Sequence, residues 1–192
     1  MTPSILKAAL ILVIPAFVFF GGAALMTRLS GRAVVTGRLA ALPKEDRTPL
    51  NSRLRYDKPS VVRHWGALDR AALAAETRFL EMDLVFPLAY GGALLAGLLL
   101  GWAMLGRSFN PTWLVIAVGV TVLADWTENL TVLSQLEAFA ARGAASLSEA
   151  RITLASGATL VKLGGAAVLA VLSIAMTILV IRSMLGAASR GA

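Results

Sequence analysis

"WLVIAVGVTVLADWTENLTVL", residues 113–133, decides the fold. As a helix rising ~1.5 Å per residue it spans roughly 31 Å, about the thickness of a bilayer's hydrocarbon core. Its first two-thirds are apolar, yet Asp125 and Glu128 stand in the remainder. Three more apolar runs of similar length lie at Ala8–Met26, Leu84–Leu105 and Thr159–Ile181. The pattern predicts an all-α integral membrane protein, with four transmembrane helices in an antiparallel bundle and a single membrane domain over 1–192. The expected spans are about 8–26, 84–105, 113–133 and 159–181, and residues 27–83 form a polar loop.

The composition agrees. Hydrophobic residues make up 57% of the 192, charged residues 15%, and mean hydropathy is +0.75. A soluble domain is not normally so apolar. The runs are continuous, not alternating, which argues against a barrel. The first run is longer than the apolar core of a cleaved signal peptide and reads as a retained anchor. There is no cysteine, so thiolate chemistry, disulfides and cysteine metal sites are excluded. The net charge of +7 reads as basic residues flanking spans and meeting anionic headgroups. No phosphate-binding glycine loop or nucleic-acid signature is present, and neither a nucleic-acid partner nor a cofactor is expected.

Local signals place the elements. Pro15 near the middle of span 1 predicts a bend. Residues 27–59 carry Pro43, Pro49 and Pro59, and read as an extended connection near the membrane surface. Ser60 is the expected cap of the next helix. From there Val61, Trp65, Leu68, Ala72, Ala75, Phe79 and Met82 recur in steps of three and four, one apolar stripe on an amphipathic helix preceding span 2. Pro87 either bends a helix running on into that span or sits in the first turn of a new one. Ala89, Ala93, Gly97 and Gly101 form a ridge of small residues four apart. Such a ridge admits a close neighbour, within the chain or, through Ala93, Gly97 and Gly101, in a homodimer. Asn110 and Pro111 fit the start of helix 3, which runs to about Phe139 with Gly143 just beyond. "SLSE", Ser146–Glu149, matches a capping box, so helix 4 is expected from near Leu147 to near Arg182.

Asp125, Glu128 and Asn129 are related as i, i+3 and i+4 and share one helix face. Asp125 lies 12 residues past Trp113, ~18 Å deeper, slightly beyond the midplane. A charge there costs at least ~2.5 kcal/mol against lipid, so the face is expected to point inward. At similar depth lie Tyr90, Asp83 at the entry of span 2, and Lys162 of span 4. Lys162 is the natural partner for Asp125 or Glu128. One cation against two acids leaves a remainder, to be met by Arg78, a bound cation, water or protonation. These six residues, Asp83, Tyr90, Asp125, Glu128, Asn129 and Lys162, are the candidate intramembrane site; the same set also makes good glue between helices. His64, the single histidine, reads as an ordinary interfacial residue. One histidine cannot build a metal centre alone, and "NLT" at 129–131 is a chance sequon.

Basic residues are denser beside the 27–83 and 134–158 segments (Arg28, Arg32, Arg38, Arg70, Arg78, Arg142, Arg151) than beside the termini and the 106–112 turn (Lys7, Arg107, Arg182, Arg190). The positive-inside rule then puts the large loop in the cytoplasm, and a bacterial inner membrane is the expected location. Three functions compete. The first is an accessory or assembly subunit, or a binder of a lipid-like ligand, with membrane lipids or other membrane proteins as partners. The second is an enzyme acting on a lipid-like substrate with Asp125 and Glu128 as acid and base. The third is ion or proton transfer by an oligomer.

Overall fold

A computed structural model describes residues 3–106 and 109–188; the side chains of 3–7, 45, 187 and 188 are not described. Among the described residues seven α-helices follow in order: α1 Pro3–Ser30, α2 Ala33–Leu39, α3 Lys58–Gly66, α4 Arg70–Met82, α5 Phe86–Met104, α6 Thr112–Arg142 and α7 Glu149–Ala188. Short 3-10 turns lie at Lys44–Asp46, Leu50–Ser52 and Ala144–Ser146, and there is no strand among the described residues. Four helical stretches are long and apolar enough to cross a membrane: Ala8–Ser30, Arg70–Met104, Thr112–Arg142 and Glu149–Gly186.

The long helices pack around α6 and α7, which lie against each other along their length; α5 packs on α1 and α6, and α1 also meets α7. Leu98, Leu114, Val118, Leu169 and Met176 form one buried cluster, and Ala8, Ile11 and Val180 another. Helices α5 and α1 approach closely because Gly97 has no side chain. A Cβ there would lie 2.8 Å from the Ile11 carbonyl oxygen and 3.2 Å from Pro15 Cγ. That carbonyl is the one Pro15 leaves without its helical donor, since proline has no N–H. Gly101 similarly admits Met176 and Ile11. The Gly97 and Gly101 part of the small-residue ridge thus receives α1 and α7 of the same chain, while Ala89 is exposed and Ala93 half-buried.

A second core lies beyond the apolar segments. Val35, Leu39, Leu50, Tyr56, Val61, Trp65, Leu68, Ala72 and Ala75 bury themselves with Val132 and Leu136 of α6 and Ile152 and Ala155 of α7. The 27–83 segment is therefore a folded cap. At ~1.5 Å per residue α6 is about 46 Å long and α7 about 60 Å. Both are longer than the ~30 Å that crossing a hydrocarbon layer takes, and the adjoining ends of the two helices, through Val132, Leu136, Ile152 and Ala155, supply the cap's floor.

Several boundaries differ from the sequence reading. The first part of the connection after span 1 is not extended, since α1 runs on to Ser30 and α2 follows at once, whereas the stretch between Leu39 and Lys58 is 3-10 turns and extended residues. The amphipathic stripe is carried by two helices. Asp57 caps α3 in a reciprocal box with Ser60, and Asp69 caps α4 by accepting from Ala72 N–H at 2.9 Å. Ser60 is thus the box's third residue and not the cap. The apolar phase continues unbroken across Ala67–Asp69, which hid the break. Span 2 restarts at Phe86, with Pro87 in its first turn. Asn110 accepts from Thr112 N–H at 2.9 Å, but the helix begins at Thr112, one residue later than expected. Helix α6 continues to Arg142 and stops where Gly143 adopts φ 75°, a region open to glycine. Ser148, not Ser146, caps α7; Ser146 donates to the Ala138 and Gly143 carbonyls instead. α7 also runs past Arg182 to Ala188.

Candidate functional site

The i, i+3, i+4 face of α6 is buried, with Glu128 and Asn129 at 0% exposure and Asp125 at 4%. Lys162 of α7 lies with its ammonium 3.2 Å from Asp125 Oδ1 and also ion-pairs with Glu128. Tyr90 of α5 donates its hydroxyl to Asp125 Oδ2 at 2.8 Å. Asn129 Nδ2 donates to Asp125 Oδ1 at 3.1 Å and to the Asp83 backbone carbonyl at 3.0 Å. Trp126 donates its indole N–H to the Leu84 carbonyl at 2.7 Å, holding the same α4–α5 turn to α6. The six sequence-selected residues thus meet in one buried cluster, Asp83 through its main chain as well as its buried side chain. Arg78 is not among them. It donates to the Ser30 carbonyl at 3.2 Å and so does not balance the second acid. Burial leaves these charges no water to lean on, so the hydrogen bonds between them carry the arrangement.

Beside this cluster a groove opens between α1 and α7. The two helices meet through Ala8, Ile11 and Val180. Further along they enclose a cavity of about 260 Å³ lined by Pro15, Ala16, Phe19 and Phe20 of α1 and Ala166, Ala170, Ser173 and Ile174 of α7. Tyr90, Leu94 and Thr121 form its inner wall. Tyr90 therefore belongs both to the groove and, through its hydroxyl, to the charged cluster. Thr121 can approach α7 because position 165 is glycine; a Cβ there would collide with its hydroxyl.

The cap holds polar groups that the sequence reading missed. Arg32 of α2's leading turn makes a two-pronged bond to Glu76, both atoms at 3.0 Å, and lies 3.6 Å above the Phe79 ring. Arg53 bonds Asp46 Oδ1 at 3.0 Å and His64 Nδ1 at 3.0 Å, and Arg63 reaches Asp46 Oδ2 at 2.8 Å. His64 is fully buried, contrary to the interfacial reading. A guanidinium only donates, so Nδ1 accepts and the imidazole proton sits on Nε2. Burial, then the adjacent Arg53 charge, pushes the His64 pKa down to about 4. The Arg63 hydrogen bond holds Asp46 below the usual carboxylate range. Burial and the Glu128 charge push the Tyr56 phenol up, and its hydroxyl lies 3.4 Å from Thr159 Oγ1. An open cavity of about 640 Å³ lies over this region, between Arg53, Arg55, Arg63, Tyr56 and Ser156. No regular spacing in 44–57 marks these partners, because the segment is built of 3-10 turns and extended residues.

Among the described residues no group of three or more His, Asp or Glu side chains is arranged to hold a metal ion. No protein-family model, curated protein or solved structure matches the chain.

Proposed function

We propose that the chain is an integral membrane protein of four antiparallel spans that holds a lipid-like amphiphile in the groove between α1 and α7. The membrane reading draws on an inverted distribution of polarity. Charged side chains converge inside, while Phe17, Phe20 and Val171 stand 77%, 70% and 66% exposed outside. In water such a surface would drive aggregation; in lipid it is the ordinary exterior. The antiparallel reading draws on depth matching: Gly91 of α5 abuts Val122 of α6, and Leu98, one to two turns on, shares a cluster with Leu114. A cytoplasmic cap is the orientation that the arginine asymmetry supports.

The binding reading rests on one observation. The groove is apolar along its length, yet its inner wall contains Tyr90, whose hydroxyl is fixed by a buried carboxylate. Ligand sites combine an apolar lining with a few placed polar groups in this way. Acid–base chemistry by Asp125 and Glu128 has less support, since Lys162, Tyr90 and Asn129 already occupy Asp125 and the same lysine ion-pairs with Glu128. Ion transfer has less still, because the Trp113–Val120 half of α6 carries no ionisable group.

The test is extraction into polymer-bounded native discs, followed by lipid mass spectrometry. Wild type is expected to retain a lipid class enriched over the bulk membrane, and Ala170→Phe, which fills the groove, to lose it. Equal lipid profiles in both proteins, each matching the bulk, would sink the reading.

A further inference from the structure

The groove's hydrogen bonds constrain what fits it. Three hydroxyl-bearing residues line it, Tyr90, Thr121 and Ser173. Each hydroxyl proton is already committed. Tyr90 donates to Asp125, which is ion-paired with Lys162 and therefore accepts. Thr121 donates to the Ala117 carbonyl at 2.9 Å, and Ser173 to the Leu169 carbonyl at 2.9 Å. A backbone carbonyl can only accept, so the direction of both bonds is fixed.

The backbone adds no donor. Every lining residue lies inside α1, α5, α6 or α7, where N–H groups are consumed by the helix, and Pro15 has none. The remaining side chains in the wall are hydrocarbon. Lys162 is held by Asp125 and Glu128, beyond Tyr90's bond to Asp125. Among the described residues the wall therefore offers lone pairs and no protons, with carboxylates standing behind it.

From this, and resting on the groove being a lipid site, we propose that its occupant carries a neutral hydrogen-bond donor: an alcohol-bearing amphiphile, such as a long-chain alcohol or a diacylglycerol. A hydroxyl group donates to the Tyr90 or Thr121 oxygen. An ether, an ester without a hydroxyl, or a carboxylate brings only acceptors to a wall of acceptors and leaves both sides unpaired. A carboxylate or phosphate additionally meets the field of Asp125 and Glu128.

The experiment uses three photo-crosslinking probes with one diazirine-bearing sixteen-carbon chain: the alcohol, its methyl ether, and the methyl ester of the corresponding fatty acid. The purified full chain is reconstituted in phosphatidylcholine nanodiscs, and labelling of α1 and α7 peptides is quantified by mass spectrometry. The alcohol is expected to label them about two- to tenfold more than the ether or the ester, the range one hydrogen bond supplies. Ala170→Phe should remove that labelling. Thr121→Val, Tyr90→Phe and Ser173→Ala combined should bring the alcohol down to the level of the ether while leaving ether labelling in place. Ether or ester labelling equal to the alcohol's, yet still abolished by Ala170→Phe, overturns the donor requirement and leaves the groove as a lipid site. Labelling that ignores Ala170→Phe for all three probes overturns the groove reading itself. An alcohol preference that survives the triple variant also overturns the inference, since its source would lie elsewhere.

Discussion

Lys162 of α7 stands 3.2 Å from Asp125 Oδ1 of α6 and pairs with Glu128 as well, so a single ammonium ties two acids of the neighbouring helix. Removing it leaves two buried carboxylates without a counter-charge. Lys162→Met should cost about 3–5 kcal/mol, the usual penalty for breaking a buried pair from one side. Adding Glu128→Gln should recover part of the loss, because the second charge then disappears. Thermal unfolding in detergent, read as a double-mutant cycle, checks both; additive losses would show that Lys162 and Glu128 do not act together.

Position 97 tests the close approach of α5 to α1. Gly97→Ala places a methyl group 2.8 Å from the Ile11 oxygen, a backbone atom that cannot step aside. A loss of about 1–3 kcal/mol is expected from overpacking. Gly119→Ala is the control, since a Cβ there meets nothing within 4 Å, and the better helix former should be neutral or slightly stabilising. The same melting experiment reads both, and equal stability of the two variants contradicts the packing described.

His64 predicts an acid-side weakness of the cap. Its folded pKa of about 4 lies below the ordinary 6.5, so as pH falls the unfolded chain takes up the proton first. Stability should therefore decline from about pH 6.5 to about pH 4, by roughly 3 kcal/mol at ~1.36 kcal/mol per pH unit. Asp46, Asp57 and Asp69 have pKa values lowered from 3.8 and contribute their own losses only below that window. His64→Gln keeps an acceptor for Arg53 and has no proton to gain. It should lose the His64 share of the decline between pH 4 and 6.5, and a fall as steep as wild type's would place the titration elsewhere.

Topology is testable because the chain has no native cysteine. Single cysteines at Ser52, in the cap, and at Phe109, in the turn between α5 and α6, should react with an impermeant maleimide from opposite sides of intact cells. The Ser52 site is expected to label only after the membrane is opened. Labelling of both from outside would contradict the antiparallel arrangement.

The cluster was legible because its spacing is a property of one helix and its charges are few. Asp125, Glu128 and Asn129 fall on one face by periodicity alone, and Lys162 is the single lysine in the apolar part of span 4. The cap was not legible. Arg53, Asp46 and His64 come together through 3-10 turns that carry no repeat, and ion pairs leave no trace in hydropathy. The stripe from Val61 to Met82 keeps its phase across two helices, so periodicity reported one. Arg78 illustrates a different limit: its charge suggested an acidic partner, but the Ser30 carbonyl at the end of α1 is what it reaches.

The order of these elements along the chain bears on how the protein is made. In the proposed arrangement α6, the least apolar of the four candidate spans, carries both acids and is synthesised before α7 brings Lys162. It therefore arrives at the insertion machinery with its neutralising group still untranslated. The third segment is expected to wait at the translocon until the fourth emerges, the two entering lipid as a pair.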